Sequence, residues 1–219
     1  KFWKYLMKKE LQKRILSSII IIPLSLFFII KGSAFFILFI TILFLIACLE
    51  WFKMTKRYHF KLFGIIFLLL SFYSVYLVRD RGLFEFLLIL LICITTDIGG
   101  YIFGKTFKGP KLIKISPNKT YSGVVGGFLM SIIVAYLFNA KYDNYFIENQ
   151  NFTSDLFFII TVFLISSVSQ IGDLIISYFK RASNIKDTGN LFPGHGGLLD
   201  RIDGMIFVFP FIHLISKIL

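Results

Sequence analysis

Long apolar runs separated by short polar segments make up most of the chain. A helix of about 20 apolar residues spans a hydrocarbon core of roughly 30 Å. Seven runs approach or reach this length, and the shorter ones must borrow flanking residues or lie in a thinner bilayer. The pattern predicts an all-α polytopic membrane protein with about seven transmembrane helices. The predicted spans are Ile15–Ile30, Ala34–Leu49, Leu62–Leu77, Leu83–Phe103, Tyr121–Phe138, Leu156–Phe179 and Met205–Leu219.

The composition agrees with this prediction. Hydrophobic residues form 57% of the 219 residues, the mean hydropathy is +0.79, and only 16% are charged, against about 25% in soluble domains. These values exclude a soluble domain, a disordered chain and a disulfide scaffold. Cys48 and Cys93 both lie in apolar runs and form no metal-ligand pair. We expect the first run to be a span rather than a cleaved signal, because no small-residue cleavage site precedes the next run.

The formal net charge of +12 is distributed unevenly along the chain. Of the 24 Lys and Arg residues, 19 lie in the N-terminal segment and in every second loop, and the intervening loops hold four. Because Lys and Arg collect on the cytoplasmic side, we expect a cytoplasmic N-terminus and an outward-facing C-terminus. The positive charge then reflects orientation and attraction to membrane lipids, and we expect no nucleic-acid partner.

The two halves of the chain differ in character. Thirteen of the 16 glycines lie between Gly99 and Gly204, whereas the N-terminal third is plainly hydrophobic. We predict three N-terminal spans over residues 1–82 and a catalytic membrane domain over residues 83–219, with four spans and cytoplasmic loops at 104–120 and 180–204. Trp51 and Tyr58 fall at span ends, where amphipathic rings prefer the membrane interface.

Glu85 lies near the outer end of the fourth predicted span and can reach water, but two aspartates fall deeper inside predicted spans, where an Asp costs roughly 2.5–3.5 kcal/mol to insert. Asp97 is in the fourth span, and Asp173 is in a polar part of the sixth, four residues before Ser177 and therefore on the same helical face. Close helix packing explains the nearby serines and glycines, but a carboxylate needs a cation or a proton. We predict a functional role for Asp173, and both interpretations stay open for Asp97.

The fourth loop contains five lysines and no acid. Orientation explains most of these lysines. The segment Ser116–Thr120 is more specific, because Lys119 and Thr120 offer an ammonium and a hydroxyl to a phosphate just before a predicted helix. The glycine spacing is not that of a Walker A loop.

The sixth loop combines bases, acids and glycines. Gly196 and Gly197 follow His195, so that backbone amides can approach a ligand closely. Asp200 and Asp203 are three residues apart and share a face if the last helix has already begun. Oxygen ligands beside Lys and Arg suit Mg²⁺ and phosphate, whereas one histidine without a nearby cysteine does not suit zinc. The chemistry-bearing residues are Lys180, Arg181, Lys186, Asp187, His195, Asp200, Arg201 and Asp203.

These loops indicate phosphoryl or nucleotidyl transfer at the membrane surface, in which carboxylates hold Mg²⁺ and bases hold phosphates. The alternative is a membrane transporter or cation channel that uses Asp97 and Asp173. A transporter would show polar residues along whole spans or an inverted repeat. Here the polar residues continue into the cytoplasmic loops instead.

The segment Ser177–Asp203, SYFKRASNIKDTGNLFPGHGGLLDRID, resembles the signature of phosphatidate cytidylyltransferases, also called CDP-diacylglycerol synthases. Asp97, Tyr101, Gly104 and Lys105, followed by SPNKT and Gly123, are similar to an upstream block of that family. The resemblance covers Asp97 to the C-terminus. Many members carry a Glu where this chain has Ile176, so the role of that Glu is not carried over.

The resemblance implies that CTP and phosphatidate react to CDP-diacylglycerol and pyrophosphate, with Mg²⁺ and a second, monovalent cation such as K⁺. It implies an enzyme of the bacterial inner membrane whose active site faces the cytoplasm, and a homodimer as one expected assembly. Implied catalytic residues are Asp173, Lys186, Asp187, Asp200 and Asp203, of which Asp173, Asp200, Asp187 and Asp203 are the metal ligands. Implied nucleotide- and phosphate-binding residues are Lys105, Ser116, Lys119, Thr120, Lys180, Arg181, His195, Gly196, Gly197 and Arg201.

Overall fold

The computed structural model describes residues 18–113, 116–142, 155–191 and 196–216, which are almost entirely helical. Five helices are long and apolar enough to cross a membrane, and two shorter apolar helices are also present. The helices are α1 (Ser18–Lys31), α2 (Ser33–Met54), α3 (Tyr58–Arg81), α4 (Leu83–Phe107), α5 (Tyr121–Lys141), α6 (Asp155–Ala182), α7 (Leu199–Ile202) and α8 (Met205–Ile215). The prediction of a helical membrane protein is confirmed, and each predicted span overlaps one helix. The two short apolar helices are α1 and α8.

The fourth loop contains a β-hairpin, which the all-α prediction missed. Strand β1 (Lys111–Ile113) pairs antiparallel with β2 (Ser116–Thr120), so that Lys111 lies opposite Thr120. The pairing gives hydrogen-bond partners to backbone groups of a segment too rich in proline and glycine to continue a helix. Strand β2 leads directly into α5, as expected, and Thr120 is the N-cap residue of that helix.

The chain forms two compact units, each assembled from separate segments of the sequence. The first unit comprises the described residues up to Asp80 together with Phe179–Ile202. The second comprises the described residues of 81–178 and those from Asp203 onward. The segment 179–202 therefore groups with the N-terminal helices rather than with α4 and α5.

In the first unit, Trp51 holds α2 against α3 and the end of α6. Its indole N–H donates to the Phe60 carbonyl at 3.0 Å, and its ring meets Phe179 edge-on at 5.0 Å between centroids. The ring lies directly on Gly64, where a Cβ would be 1.8 Å from Nε1. Trp51 is only 5% exposed, so its ring is packed against the neighbouring helices of this unit. Glycine at position 64 makes room for the buried ring.

In the second unit, small residues let α4 approach α5 and α6 closely. A Cβ at Gly99 would lie 2.4 Å from the Gly126 carbonyl oxygen, so only glycine fits there. The Thr96 hydroxyl, buried on α4, donates to Ser166 on α6 at 2.9 Å. These contacts support the interpretation that the serines and glycines of these spans serve helix packing.

Candidate active site

A cavity of about 310 Å³ lies inside the second unit, between α4, α5, α6 and the β-hairpin. This volume is at the lower end of the range for small-molecule sites. The cavity brings together residues that are more than 70 positions apart in sequence. Its polar lining includes Asp97 of α4, Ser116, Lys119 and Thr120 of β2, and Gln170 and Asp173 of α6.

Lys119 and Asp173 form an ion pair in this cavity. The Lys119 ammonium lies 2.5 Å from Asp173 Oδ2, and both side chains are about one quarter exposed. Ser177 donates to the other carboxylate oxygen at 3.2 Å, so the predicted shared face of Asp173 and Ser177 is confirmed. The cation that a carboxylate in a membrane helix needs is therefore supplied by the hairpin lysine.

The hairpin is fixed to the beginning of α5, which determines where Lys119 lies. The Thr120 hydroxyl accepts a hydrogen bond from the Gly123 amide at 3.2 Å. Ser122, in the first turn of α5, donates to the Lys108 carbonyl at 2.5 Å. Together these bonds hold the end of β2 beside the first turn of a helix, where amide groups favour an anion.

A second cluster, within the first unit, is centred on Asp200. The Lys180 ammonium at the end of α6 lies 2.8 Å from Asp200 Oδ1. Asp200 Oδ2 accepts hydrogen bonds from the Thr188 amide at 2.8 Å and the Gly197 amide at 3.0 Å, and the Thr188 hydroxyl lies 3.1 Å away. The Asp200 side chain is 6% exposed. One carboxylate thus connects α6, the beginning of the sixth loop and the residues before α7.

The protonation of Asp200 follows from these contacts. Burial alone would raise the pKa of its carboxyl group. The hydrogen bonds from Lys180 and from the Gly197 and Thr188 amides outweigh burial and leave the pKa below its ordinary value. Asp200 is therefore an anion at neutral pH.

Glu50 of α2 is joined to the same loop. Its Oε1 accepts a hydrogen bond from the Leu198 amide at 2.8 Å. Its Oε2 accepts from the Leu199 amide at 2.8 Å and from the Thr188 hydroxyl at 2.9 Å. The residue is 6% exposed. A buried carboxylate just after the second predicted span thus binds Thr188 on one side of the loop and Leu198 and Leu199 on the other.

Two glycines of the loop are required by this arrangement. A Cβ at Gly197 would lie 2.2 Å from Thr188 Oγ1 and 2.6 Å from Glu50 Oε2. A Cβ at Gly189 would lie 2.7 Å from Glu50 Oε1. Gly196 has a positive φ of 86°, a conformation that favours glycine. The glycines therefore let the backbone close around carboxylates.

The remaining predicted site residues are less enclosed. Lys105, Arg181, Lys186, Asp187 and Arg201 are exposed, and the Lys105 ammonium lies 3.3 Å from the Tyr101 hydroxyl. The backbone of Gly196 lies beside Asp187 and Asp200. His195 lies outside the described residues.

Asp200 and Asp203 do not share a helical face as expected. Helix α7 ends at Ile202 after four residues. Asp203 then stands in a turn, where its Oδ1 accepts a hydrogen bond from the Gly204 amide at 3.0 Å. Gly204 packs on Ser169 so closely that a Cβ would lie 2.4 Å from the serine hydroxyl.

Comparison with known proteins identifies the family to which this chain belongs. The model of the cytidylyltransferase family matches residues 58–219. A phosphatidate cytidylyltransferase of Rickettsia felis is 37% identical over 95% of this chain and 93% of its own length. Another from Staphylococcus saprophyticus is 40% identical over 71% of this chain and 58% of its own length. The chain belongs to the cytidylyltransferase family.

The family match extends further than the sequence motifs indicated. The resemblance was expected to begin at Asp97, but the family model begins at residue 58 and the Rickettsia felis relative matches nearly the whole chain. The family match therefore includes α3, and the match to the Rickettsia felis relative extends over nearly the whole chain. Membership also decides against a transporter or cation channel.

The donor chemistry of the cavity fits Mg²⁺ in a cytidylyltransferase. Asp97 and Asp173 offer carboxylate oxygens, the ligands that hard cations prefer. In the part of the chain that the structure describes, no three Asp, Glu, His or Cys side chains converge on one point. Mg²⁺ is commonly held by one or two carboxylates together with substrate phosphates, so a complete protein cage is not needed. Asp200 fits less well, because the Thr188 and Gly197 amides already donate to its Oδ2 and the Lys180 ammonium contacts its Oδ1.

Glu50 is the residue that sequence reasoning missed. It stands just after the second predicted span, among residues interpreted as plain hydrophobic helix. A signal was present, since an acid in a membrane helix marks function by default. Its partners Thr188, Leu198 and Leu199 lie about 140 or more residues away, and no local pattern connects them.

Proposed function

We propose that this protein is a phosphatidate cytidylyltransferase, which transfers CMP from CTP to phosphatidate and releases pyrophosphate. A phosphate oxygen of phosphatidate bonds to the α-phosphorus of CTP, and the bond from that phosphorus to the bridging oxygen of the β-phosphate breaks. The Lys119–Asp173 pair in the cavity of the second unit, inside the segment that matches the family, is the observation that carries the proposal. The names of the relatives from Rickettsia felis and Staphylococcus saprophyticus support it.

The attacking group needs little activation. A phosphate monoester is already an anion, so a general base is not required, and catalysis depends on position and on charge stabilisation. The chain supplies cations for this purpose. Lys119 and Thr120, beside the first turn of α5, would hold phosphate oxygens of the nucleotide. We also propose further phosphate- or nucleotide-binding groups, which are Lys105, Ser116, Lys180, Arg181, Lys186, Arg201, and the Gly196–Gly197 backbone with His195.

Mg²⁺ is proposed as the cofactor, with Asp173 as its first ligand and Asp97 beside it. When bound, the metal would neutralise negative charge on the triphosphate. Asp200, whose Oδ1 contacts Lys180, is proposed as a metal ligand on the strength of the family resemblance. Asp187 and Asp203 are proposed as further carboxylates of the site, and a monovalent cation such as K⁺ as a second ion.

The proposed setting is the bacterial inner membrane, with the loops at 104–120 and 180–204 on the cytoplasmic side. Charge sidedness supports this orientation, and a soluble nucleotide such as CTP requires it. Phosphatidate would enter from the membrane. A homodimer is a proposed assembly on the strength of the family resemblance alone.

Purified protein in detergent–phosphatidate micelles with CTP and Mg²⁺ tests the proposal. We expect pyrophosphate release that requires both phosphatidate and Mg²⁺. Asp173→Asn and Asp200→Ala should lose most of the activity, whereas Asp155→Asn, at the opposite end of α6 from Lys180, should keep it. An inactive wild-type protein, or full activity in both site variants, would contradict the proposal. Replacing CTP with ATP tests the choice of base.

A further inference from the structure

We infer that Glu50 of α2 is a positioning residue that fixes Thr188 relative to Leu198 and Leu199 and thereby sets the position of Asp200. The inference rests on the proposed function only for its activity readout. It assigns a role in the reaction to a helix that carries none of the nucleotide-binding or metal-binding residues proposed above.

The contacts of Glu50 reach both ends of the loop. At one end its Oε2 accepts from the Thr188 hydroxyl at 2.9 Å. At the other end its two oxygens accept from the Leu198 and Leu199 amides, each at 2.8 Å. Hydrogen bonds to a charged acceptor are stronger than neutral ones, so three of them to one buried carboxylate are an effective means of holding these residues together.

The same bonds satisfy the buried charge of Glu50. Among the described residues, no Lys or Arg forms an ion pair with this carboxylate. Two backbone amides and one hydroxyl take the place of a counter-cation. An amide side chain at position 50 would turn an N–H group toward one of these donors, so charge and acceptor number both matter.

Thr188 connects Glu50 to Asp200. Its hydroxyl lies 2.9 Å from Glu50 Oε2 and 3.1 Å from Asp200 Oδ2, and its amide donates to Asp200. Gly197 also contacts both carboxylates. Its amide donates to Asp200, and its α-carbon packs against Glu50. A shift of Glu50 would therefore move two of the three residues that surround the Asp200 carboxylate.

The primary test compares Glu50→Gln with Glu85→Gln, a matched change at another partly buried acid of a membrane helix, which contacts Arg81 instead. We expect Glu50→Gln to lower kcat at least tenfold under conditions where the protein is folded, and Glu85→Gln to leave it within twofold. Hydrogen exchange of the Leu198 and Leu199 amides should accelerate at least tenfold in Glu50→Gln alone. If Glu50→Gln lowers the melting temperature but leaves kcat, KM for CTP and this exchange unchanged, Glu50 is merely structural and the inference is wrong.

Thr188 supplies a second route in case Glu50→Gln does not fold. Thr188→Val removes the hydroxyl that bonds Glu50, whereas Thr188→Ser keeps it. We expect Val to reduce kcat and Ser to retain at least half of it; equal activity in both would overturn the inference. A wild-type protein without CTP-dependent activity would contradict the proposed function, and the exchange measurement would still decide the position of Glu50.

Discussion

The ammonium of Lys119, at the end of a β-hairpin, lies 2.5 Å from Asp173 Oδ2 in the middle of a membrane helix. These residues are 54 positions apart, and the sequence assigned them separately to phosphate and to metal. Their pairing places the acid proposed to hold Mg²⁺ in direct contact with the base proposed to hold phosphate.

Lys119→Met should abolish most of the CTP-dependent activity. The substitution removes an ammonium that stabilises developing phosphate charge, for which losses of about 10²–10³ in kcat are typical. Lys119→Arg keeps the charge and should retain more activity than Met. Steady-state pyrophosphate release as a function of CTP concentration checks this. Equal activity of the Met and Arg variants would show that the charge of Lys119 is not used.

Lys180→Met and Asp200→Asn should be strongly coupled. Removing Lys180 leaves the buried Asp200 carboxylate with amide donors but without its counter-cation. Breaking a fully buried pair in this way costs about 3–5 kcal/mol, and these side chains are 12% and 6% exposed. Removing both should cost less than the sum of the single changes. A double-mutant cycle on thermal unfolding in detergent measures the coupling. Additive losses would mean that the pair contributes no interaction of its own.

Gly197→Ala should destabilise the protein and reduce its activity. The new methyl group would overlap Thr188 Oγ1, Glu50 Oε2 and the Gly189 amide nitrogen, and the last cannot move without shifting the backbone. Overpacking of this kind costs about 1–3 kcal/mol. Gly82→Ala is the matched control, because its Cβ would have 4.0 Å to the nearest atom. Comparing unfolding temperatures and kcat of the two variants checks the prediction.

Acid should remove the contribution of Asp200 to stability. Its pKa is lowered in the folded protein, so the unfolded chain binds the proton more readily. The contribution is present above the ordinary aspartate pKa of about 3.9 and is lost as the pH falls through the lower folded pKa. The difference in unfolding temperature between wild type and Asp200→Asn should therefore shrink below pH 4. A difference that stays constant from pH 7 to pH 3 would contradict it.

The sequence predicted the helical membrane architecture because apolar runs near 20 residues have few other folds. It also predicted the face shared by Asp173 and Ser177, because four-residue spacing is a property of the helix itself. The hairpin around Lys111 was missed, since alternation over so few residues gives little signal.

The sequence also could not predict which residues far apart in the chain contact each other. Nothing near Lys119 in sequence indicates Asp173 as its partner, and nothing near Glu50 indicates Thr188. The prediction that Asp200 and Asp203 share a helical face was wrong for a local reason, because α7 ends at Ile202 and Asp203 lies in a turn. Such pairings depend on how helices pack, which spacing along one chain does not encode.

Isotope tracing tests most directly whether this chain transfers the CMP group of CTP to phosphatidate. Purified protein is incubated with Mg²⁺, phosphatidate and CTP labelled at either the α- or the γ-phosphorus. We expect the α-label to appear in the lipid fraction and the γ-label in pyrophosphate, in equal molar amounts. γ-Label in the lipid, or α-label remaining water-soluble while CTP is consumed, would contradict it.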